Sequence, residues 1–203
     1  MLFYNAPIPA PNPRRVRIFL AEKGVSVPMT DISIPTGELR SEAFLAVNPL
    51  GQVPALKLDD GEVLTETVSI CRYFEGLHPE PPMFGTDPLD AARIDMWTRR
   101  VELRLGTPIG MIWAHTHPYT ARVIQQHKEF GESNRPRAAD AMRFIDGHLD
   151  GRAFLASDRF TMADIALLTI IDFAGFIGVP IPDDRPHLKA WHERVSARPS
   201  AAA

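Results

Sequence analysis

Thr65, Glu66 and Thr67 stand where a short apolar hairpin gives way to a helix, and they are the residues of this 203-residue chain best placed for chemistry. The first N–H groups of a helix have no partner in the helix itself, so with the Thr67 hydroxyl they form a donor set for a carboxylate. Upstream stands Val53-Pro54. A proline that opens a strand donates nothing to the ladder, is tolerated at an edge, and sometimes follows a cis bond. The Val53 N–H and C=O are then open to an extended, peptide-like ligand lying alongside as an added strand. A small peptide bearing a carboxylate suits both features. In the alternative reading Pro54 ends a loop and Thr65 or Thr67 only caps a helix, and the residues alone leave both readings open.

The elements that position these groups follow from periodicity. Residues 55–58 read as a strand with Leu56 and Leu58 on one face, Asp60-Gly61 as a two-residue turn, and Glu62, Val63 and Leu64 as the returning strand. Thr67, Ile70, Cys71, Phe74 and Leu77 then recur at helical spacing. Before this stretch, residues 2–5 form a first strand, and residues 6–13, with Pro7, Pro9, Pro11 and Pro13, form a rigid loop. Asn12 and Pro13 suit the N-cap and first position of a helix running to Lys23, with Val16, Phe19 and Leu20 inward and Gly24 as its stop. Residues 27–33 read as a second strand and residues 38–47 as a short helical segment. The order is β-α-β-α-β-β-α, and a right-handed crossover makes the first two strands parallel with the later hairpin antiparallel beside them.

Pro79, Pro81, Pro82 and Pro88 then mark residues 79–88 as a connector that no helix crosses. Beyond it every pattern is helical: residues 89–115, bent or divided near Pro108 and Gly110; residues 119–130; residues 137–149; and residues 188–198 with Trp191 and Val195. Thr161 and Asp164 form a variant of the capping box ahead of residues 165–177, whose nearly continuous apolar run makes them the buried centre of the second half. The fold class is α/β plus all-α, with domains over residues 1–78 and 89–203. Ala201, Ala202 and Ala203 read as a disordered tail.

Composition is that of an ordinary globular chain, with 45% hydrophobic residues, 23% charged residues and a net charge of −3, which argues against a nucleic-acid surface. Arg14, Arg15 and Arg17, like Arg99, Arg100 and Arg104, read as solvated faces or subunit contacts. A lone cysteine, Cys71, allows neither an internal disulfide nor a redox pair and suits a reducing, cytoplasmic compartment, and no leader or membrane span is evident. His115 and His117 are two residues apart, do not face each other on a helix, and suggest no metal. His115, Trp113, Met111 and Tyr119 line either an apolar acceptor pocket or the core.

Val53-Pro54-Ala55-Leu56 followed by Glu66-Thr67-Val68-Ser69-Ile70-Cys71-Arg72-Tyr73-Phe74 resembles the glutathione-binding core of the glutathione S-transferase superfamily, and the similarity runs from the first strand to the last helix. The resemblance implies a thioredoxin-like first domain, a helical second domain and glutathione as co-substrate, with no metal. It also implies a small hydrophobic second substrate and a homodimer, with Arg72 and Arg93 near the subunit contact. It assigns glutathione binding to Gln52, Val53, Pro54, Glu66 and Thr67. The family's usual activating serine or cysteine corresponds here to Ala10, and Ala10-Pro11-Asn12-Pro13 is similar to the loops of bacterial nu-class enzymes and of a yeast nitrogen regulator. Tyr4 lies within a strand. Catalysis therefore passes to Asn12, with helix capping as its competing role.

Overall fold

The first strand, β1 (Leu2–Asn5), buries Phe3 and Asn5 and leaves Leu2 and Tyr4 half-covered, the alternation expected of a strand with one face on a core. It lies inside a four-stranded sheet of order β2-β1-β3-β4, with β2 (Met29–Asp31) parallel to it and β3 (Ala55–Lys57) antiparallel. Strand β4 (Val63–Leu64) completes the hairpin, pairing Leu64 with Leu56. At the turn, the Leu58 N–H donates to Glu62 and Gly61 takes φ 92°, a conformation that glycine adopts without a steric penalty. The computed structural model describes residues 1–7 and 9–203, so the proline loop is seen on either side of position 8.

Helix α1 (Pro11–Lys23) begins earlier than its sequence signals indicate. Ala10 is the N-cap, with no side-chain cap, and Asn12 is the second helical residue. Pro11 and Pro13 explain this: both have φ already set for a helix, and the N–H groups they lack would have no helical partner in the first turn. The N-capping role of Asn12 is thereby corrected. Helix α1 packs against α3 (Thr67–Leu77), which buries Thr67, Ile70, Cys71 and Phe74. Between β2 and β3 come a 3₁₀ turn (Glu38–Arg40) and the single-turn helix α2 (Glu42–Leu45), whose N-cap Ser41 accepts from the Phe44 N–H.

Residues 199–203 fold with residues 1–83 as one compact unit, and residues 84–198 form a second. The tail expected to be disordered forms a 3₁₀ turn (Pro199–Ala202) against α1. Arg14 donates to the Ala201 carbonyl at 2.8 Å, the Ser200 hydroxyl donates to Glu22, and Ser200 and Ala201 are buried. Small side chains lose little rotamer entropy on being ordered this way.

The second unit is helical: α4 (Pro88–Arg100), α5 (Thr107–Thr116), α6 (Lys128–Glu132), α7 (Arg135–Leu149), α8 (Met162–Phe176) and α9 (Pro186–Ser196). The division expected near Pro108 is a π-helical segment, Val101–Gly106, in which the Thr107 N–H bonds to Glu102 five residues back. Pro108 cannot donate to the carbonyl four residues before it, and a widened turn accommodates that loss. The continuous helix expected over residues 119–130 is absent. Thr120 donates to the carbonyls of Trp113 and His117, and Gln126 donates to Ala114, His117 and Thr120. These side chains satisfy the end of α5 and leave only a 3₁₀ turn (Thr120–Arg122) before α6.

Helix α8 is the buried centre of this unit, and Asp164 anchors its start. The Asp164 carboxylate accepts from the N–H and hydroxyl of Thr161, from the Leu155 N–H at 2.8 Å, and from Trp191 Nε1 at 3.0 Å. Complete burial nonetheless pushes its pKa up to about 6, with the four donors opposing that rise. The native state therefore holds the proton more tightly than the unfolded chain, whose carboxylate titrates near about 3.9. The resulting stabilisation is fully present below that value and is lost as pH rises through about 6. Asp164 alone should lower unfolding free energy by about 2 kcal/mol between pH 4 and 6. Asp164→Asn should remove that slope from urea titrations across the range; an unchanged slope would assign it to other groups.

Candidate functional site

Asn12, Gln52, Val53, Pro54, Glu66 and Thr67 all line one cleft in the first unit, completed by Asn48, Leu50 and Thr65. One wall is the strand entry. The Val53-Pro54 peptide bond is cis, and among the described residues the Val53 N–H and C=O have no hydrogen-bond partner. The loop before it is held by Asn48, a buried residue that the sequence reading passed over. Its Nδ2 donates to the Gln52 carbonyl at 2.7 Å and its Oδ1 accepts from the Leu50 N–H at 3.2 Å. The signal for it was present in Asn48-Pro49-Leu50-Gly51, since an asparagine two residues before an N–H makes an Asx turn. Gly51 cannot be enlarged there: φ is 60°, and a Cβ would fall 2.8 Å from the Leu39 carbonyl oxygen.

The other wall is the start of α3. The Ile70 N–H bonds to the Glu66 carbonyl, and no side chain caps the helix. Among the described residues the N–H groups of Thr67, Val68 and Ser69 are therefore unpaired donors, and the positive end of the helix dipole lies with them. Glu66, exposed in the cleft, has φ 64° and ψ 121°, and it is the one residue other than glycine described with positive φ. Such a conformation costs about 1–3 kcal/mol and persists where the surroundings impose it.

At the start of α1 stands Asn12, exposed, with no partner for its N–H or its side chain among the described residues. Pro11 and Pro13 have no N–H, so among the described residues Asn12 supplies the free donors on this first turn. Tyr4 is not in the cleft; its ring packs edge-on against Phe44 at 5.8 Å. Cys71 is fully buried and burial pushes its thiol up, which leaves it unreactive.

The basic cluster at residues 14–17 is not a solvated face throughout. Arg15 is 4% exposed and donates through Nη1 to Thr67 Oγ1 at 2.9 Å. Lys23 is also buried, paired with Glu75 at 2.5 Å and donating to the carbonyls of Pro79 and Pro81. Arg15, Phe19 and Lys23 are spaced four apart, so both cations lie on a stripe with an inward aromatic residue, and that spacing was the available signal.

In the second unit, Trp113 gathers an aromatic cluster with His117, Tyr119, Phe173 and Phe176. His115 faces instead His127 and Phe130. The proposed acceptor set thus divides between two neighbourhoods, and the two histidines have different partners.

Residues 10–77 match the glutathione S-transferase N-terminal domain, and residues 108–199 match the glutathione S-transferase C-terminal domain. The chain belongs to the glutathione S-transferase family. Over 204 residues this transferase is 36% identical to glutathione S-transferase 2 of Saccharomyces cerevisiae, spanning 98% of the present chain and 87% of that protein. The crystal structure of Gtt2 from Saccharomyces cerevisiae superposes with a TM-score of 0.93 at 36% identity, covering 100% of this chain and 99% of that one. Maleylacetoacetate isomerase of Pseudomonas aeruginosa is 30% identical over 201 residues, 92% of this chain and 87% of that protein.

The strain at Glu66 separates stability from function. Glu66→Gly should raise the unfolding free energy by about 1 kcal/mol or more by releasing the positive φ, while removing the carboxylate from the cleft. Urea unfolding of the two proteins checks this, and a clear loss of stability in the variant would show that the Glu66 side chain supports the fold.

Proposed function

We propose that this glutathione-dependent transferase holds glutathione in the cleft of its first unit and directs the thiolate at an apolar electrophile, peroxide or disulfide. The observation that carries this reading is the convergence of Asn12, Gln52, Val53, Pro54, Glu66 and Thr67 on one cleft, with an open strand edge on one side and free helix donors on the other. In this reading the Val53 backbone pairs with the cysteinyl unit as an added strand. The Thr67 hydroxyl and the first N–H groups of α3 take the γ-glutamyl carboxylate, Glu66 takes the adjacent ammonium, and Gln52 contacts the ligand at the rim.

The thiol then falls to Asn12. A free thiol ionises near about 8.5, so only a few per cent is thiolate at neutral pH, and each unit of depression requires about 1.4 kcal/mol of preferential stabilisation of the anion. Position 10 is alanine and offers no hydroxyl, and prolines on both sides of Asn12 remove the neighbouring N–H groups. The Asn12 N–H and side-chain amide, with the dipole of α1 behind them, are what remains. So few donors favour weak conjugation of aromatic halides, with reduction of peroxides or disulfides as the main chemistry. In the same reading residues 1–78 are the glutathione-binding domain, residues 79–88 a linker, and residues 89–203 the domain with the acceptor pocket. The protein acts as a cytoplasmic homodimer in detoxification. A second reading, glutathione used catalytically by an isomerase, is favoured by the relation to maleylacetoacetate isomerase. Glutathione affinity measured apart from turnover on conjugation, peroxide, disulfide and isomerase substrates separates these readings from a non-catalytic binder.

Thr67→Ala should weaken glutathione binding roughly tenfold or more, since a hydrogen bond to a charged group contributes about 1.5–3 kcal/mol, and unchanged affinity by calorimetry would sink the carboxylate assignment. Asn12→Ala should raise the pH at which bound thiolate absorbance appears and slow the native reaction. Because Asn12 is not the helix cap, this change should leave the midpoint of unfolding nearly unmoved. Ala10→Ser should raise conjugation. Identical titration in wild type and Asn12→Ala would end the catalytic assignment.

A further inference from the structure

Thr67 Oγ1 lies between the cleft and a buried guanidinium, and the direction of its hydrogen bond decides what the hydroxyl can do. Arg15 has only donors, so at 2.9 Å Oγ1 must be the acceptor. The hydroxyl hydrogen is then left for another acceptor, and among the described residues Thr67 Oγ1 has no bond to one. Thr67 is itself buried at the first position of α3, so the remaining direction for that hydrogen is the cleft. The Arg15 guanidinium is also almost wholly screened from water, so its field reaches the α3 start at low effective dielectric.

We propose that Arg15 is a positioning residue for the γ-glutamyl carboxylate of glutathione: through Thr67 it fixes the hydroxyl as a donor and adds a buried positive charge behind it. The inference rests on the reading that the α3 end of the cleft holds that carboxylate. Arg15 never touches the ligand. Its role is to remove the alternative orientation in which the hydroxyl would present a lone pair to an anion.

The test compares two ligands on folded full-length protein: glutathione, and γ-aminobutyryl-cysteinyl-glycine, which lacks only the glutamyl α-carboxylate. Wild type should bind glutathione at least tenfold more tightly by calorimetry. In Arg15→Gln that preference should shrink by tenfold or to nothing, through weaker binding of glutathione with little change for the analogue, and KM for glutathione should rise with kcat largely kept. Arg15→Lys retains a buried cation without the planar fork, carries the test if the glutamine variant fails to fold, and should lose at least threefold of the preference. In a Thr67→Val background Arg15→Lys should have a much smaller effect, since the shared hydroxyl is gone. If wild type discriminates between the ligands and the folded Arg15 variants discriminate equally well, or lose both ligands equally, Arg15 is only structural and the proposal is overturned. If wild type itself shows no preference, the carboxylate reading of the cleft fails, and the role of Arg15 fails with it.

Discussion

A full positive charge buried between two helices is the constraint on which the first unit depends. Removing a guanidinium from water costs several kcal/mol unless its donors are satisfied, and Arg15 meets that demand partly through Thr67 on the neighbouring helix. Helix α1 therefore cannot slide along α3 without leaving a cation uncompensated. Lys23 repeats the device two turns later, against Glu75 and the carbonyls of Pro79 and Pro81. Two buried cations, eight residues apart on one stripe, thus fix the register of the helices that bear Asn12 and Thr67, and the width of the cleft between those residues follows from it.

The second unit meets the opposite problem with the opposite charge. Helix α8 begins inside the apolar core, so the polar groups gathered around its entry require an acceptor inside the protein. Asp164 supplies one carboxylate for four donors, drawn from the helix entry, the preceding loop and α9. In both units an ionised group stands where apolar packing alone would leave polar atoms orphaned. Each replaces a non-directional contact by a bonded geometry, which gives an apolar core a single arrangement.

Much of this is legible in the sequence. The order of elements, the hairpin at Asp60-Gly61, the capping box and the six cleft residues all came from local signals: period, turn residues, proline placement and one family motif. The departures share a cause. Asn12 was read as a cap because asparagine before proline is a cap by local rule, but Pro11 had already begun the helix. Arg15 reads as part of a solvated face or a subunit contact because charged residues usually lie at the surface, and only its spacing from Phe19 and Lys23 indicates burial. Residues 119–130 have helical composition, yet Thr120 and Gln126 are used to close α5. In each case a side chain was engaged by something distant or already settled upstream, which a window of neighbouring residues does not record.

The π-helical segment Val101–Gly106 carries a different kind of information. A turn closed five residues back rather than four is a helix holding one residue in excess, accommodated without breaking the rod. Each residue turns a helix by about 100°, and everything downstream is rotated by that amount relative to a continuous α-helix. Ile109 and Ile112, both buried, and Trp113, at the centre of its aromatic cluster, owe their facing to it. The segment works as a vernier: one residue gained or lost there would exchange which side chains of α5 meet the core and which meet water, with every residue of α5 itself unchanged.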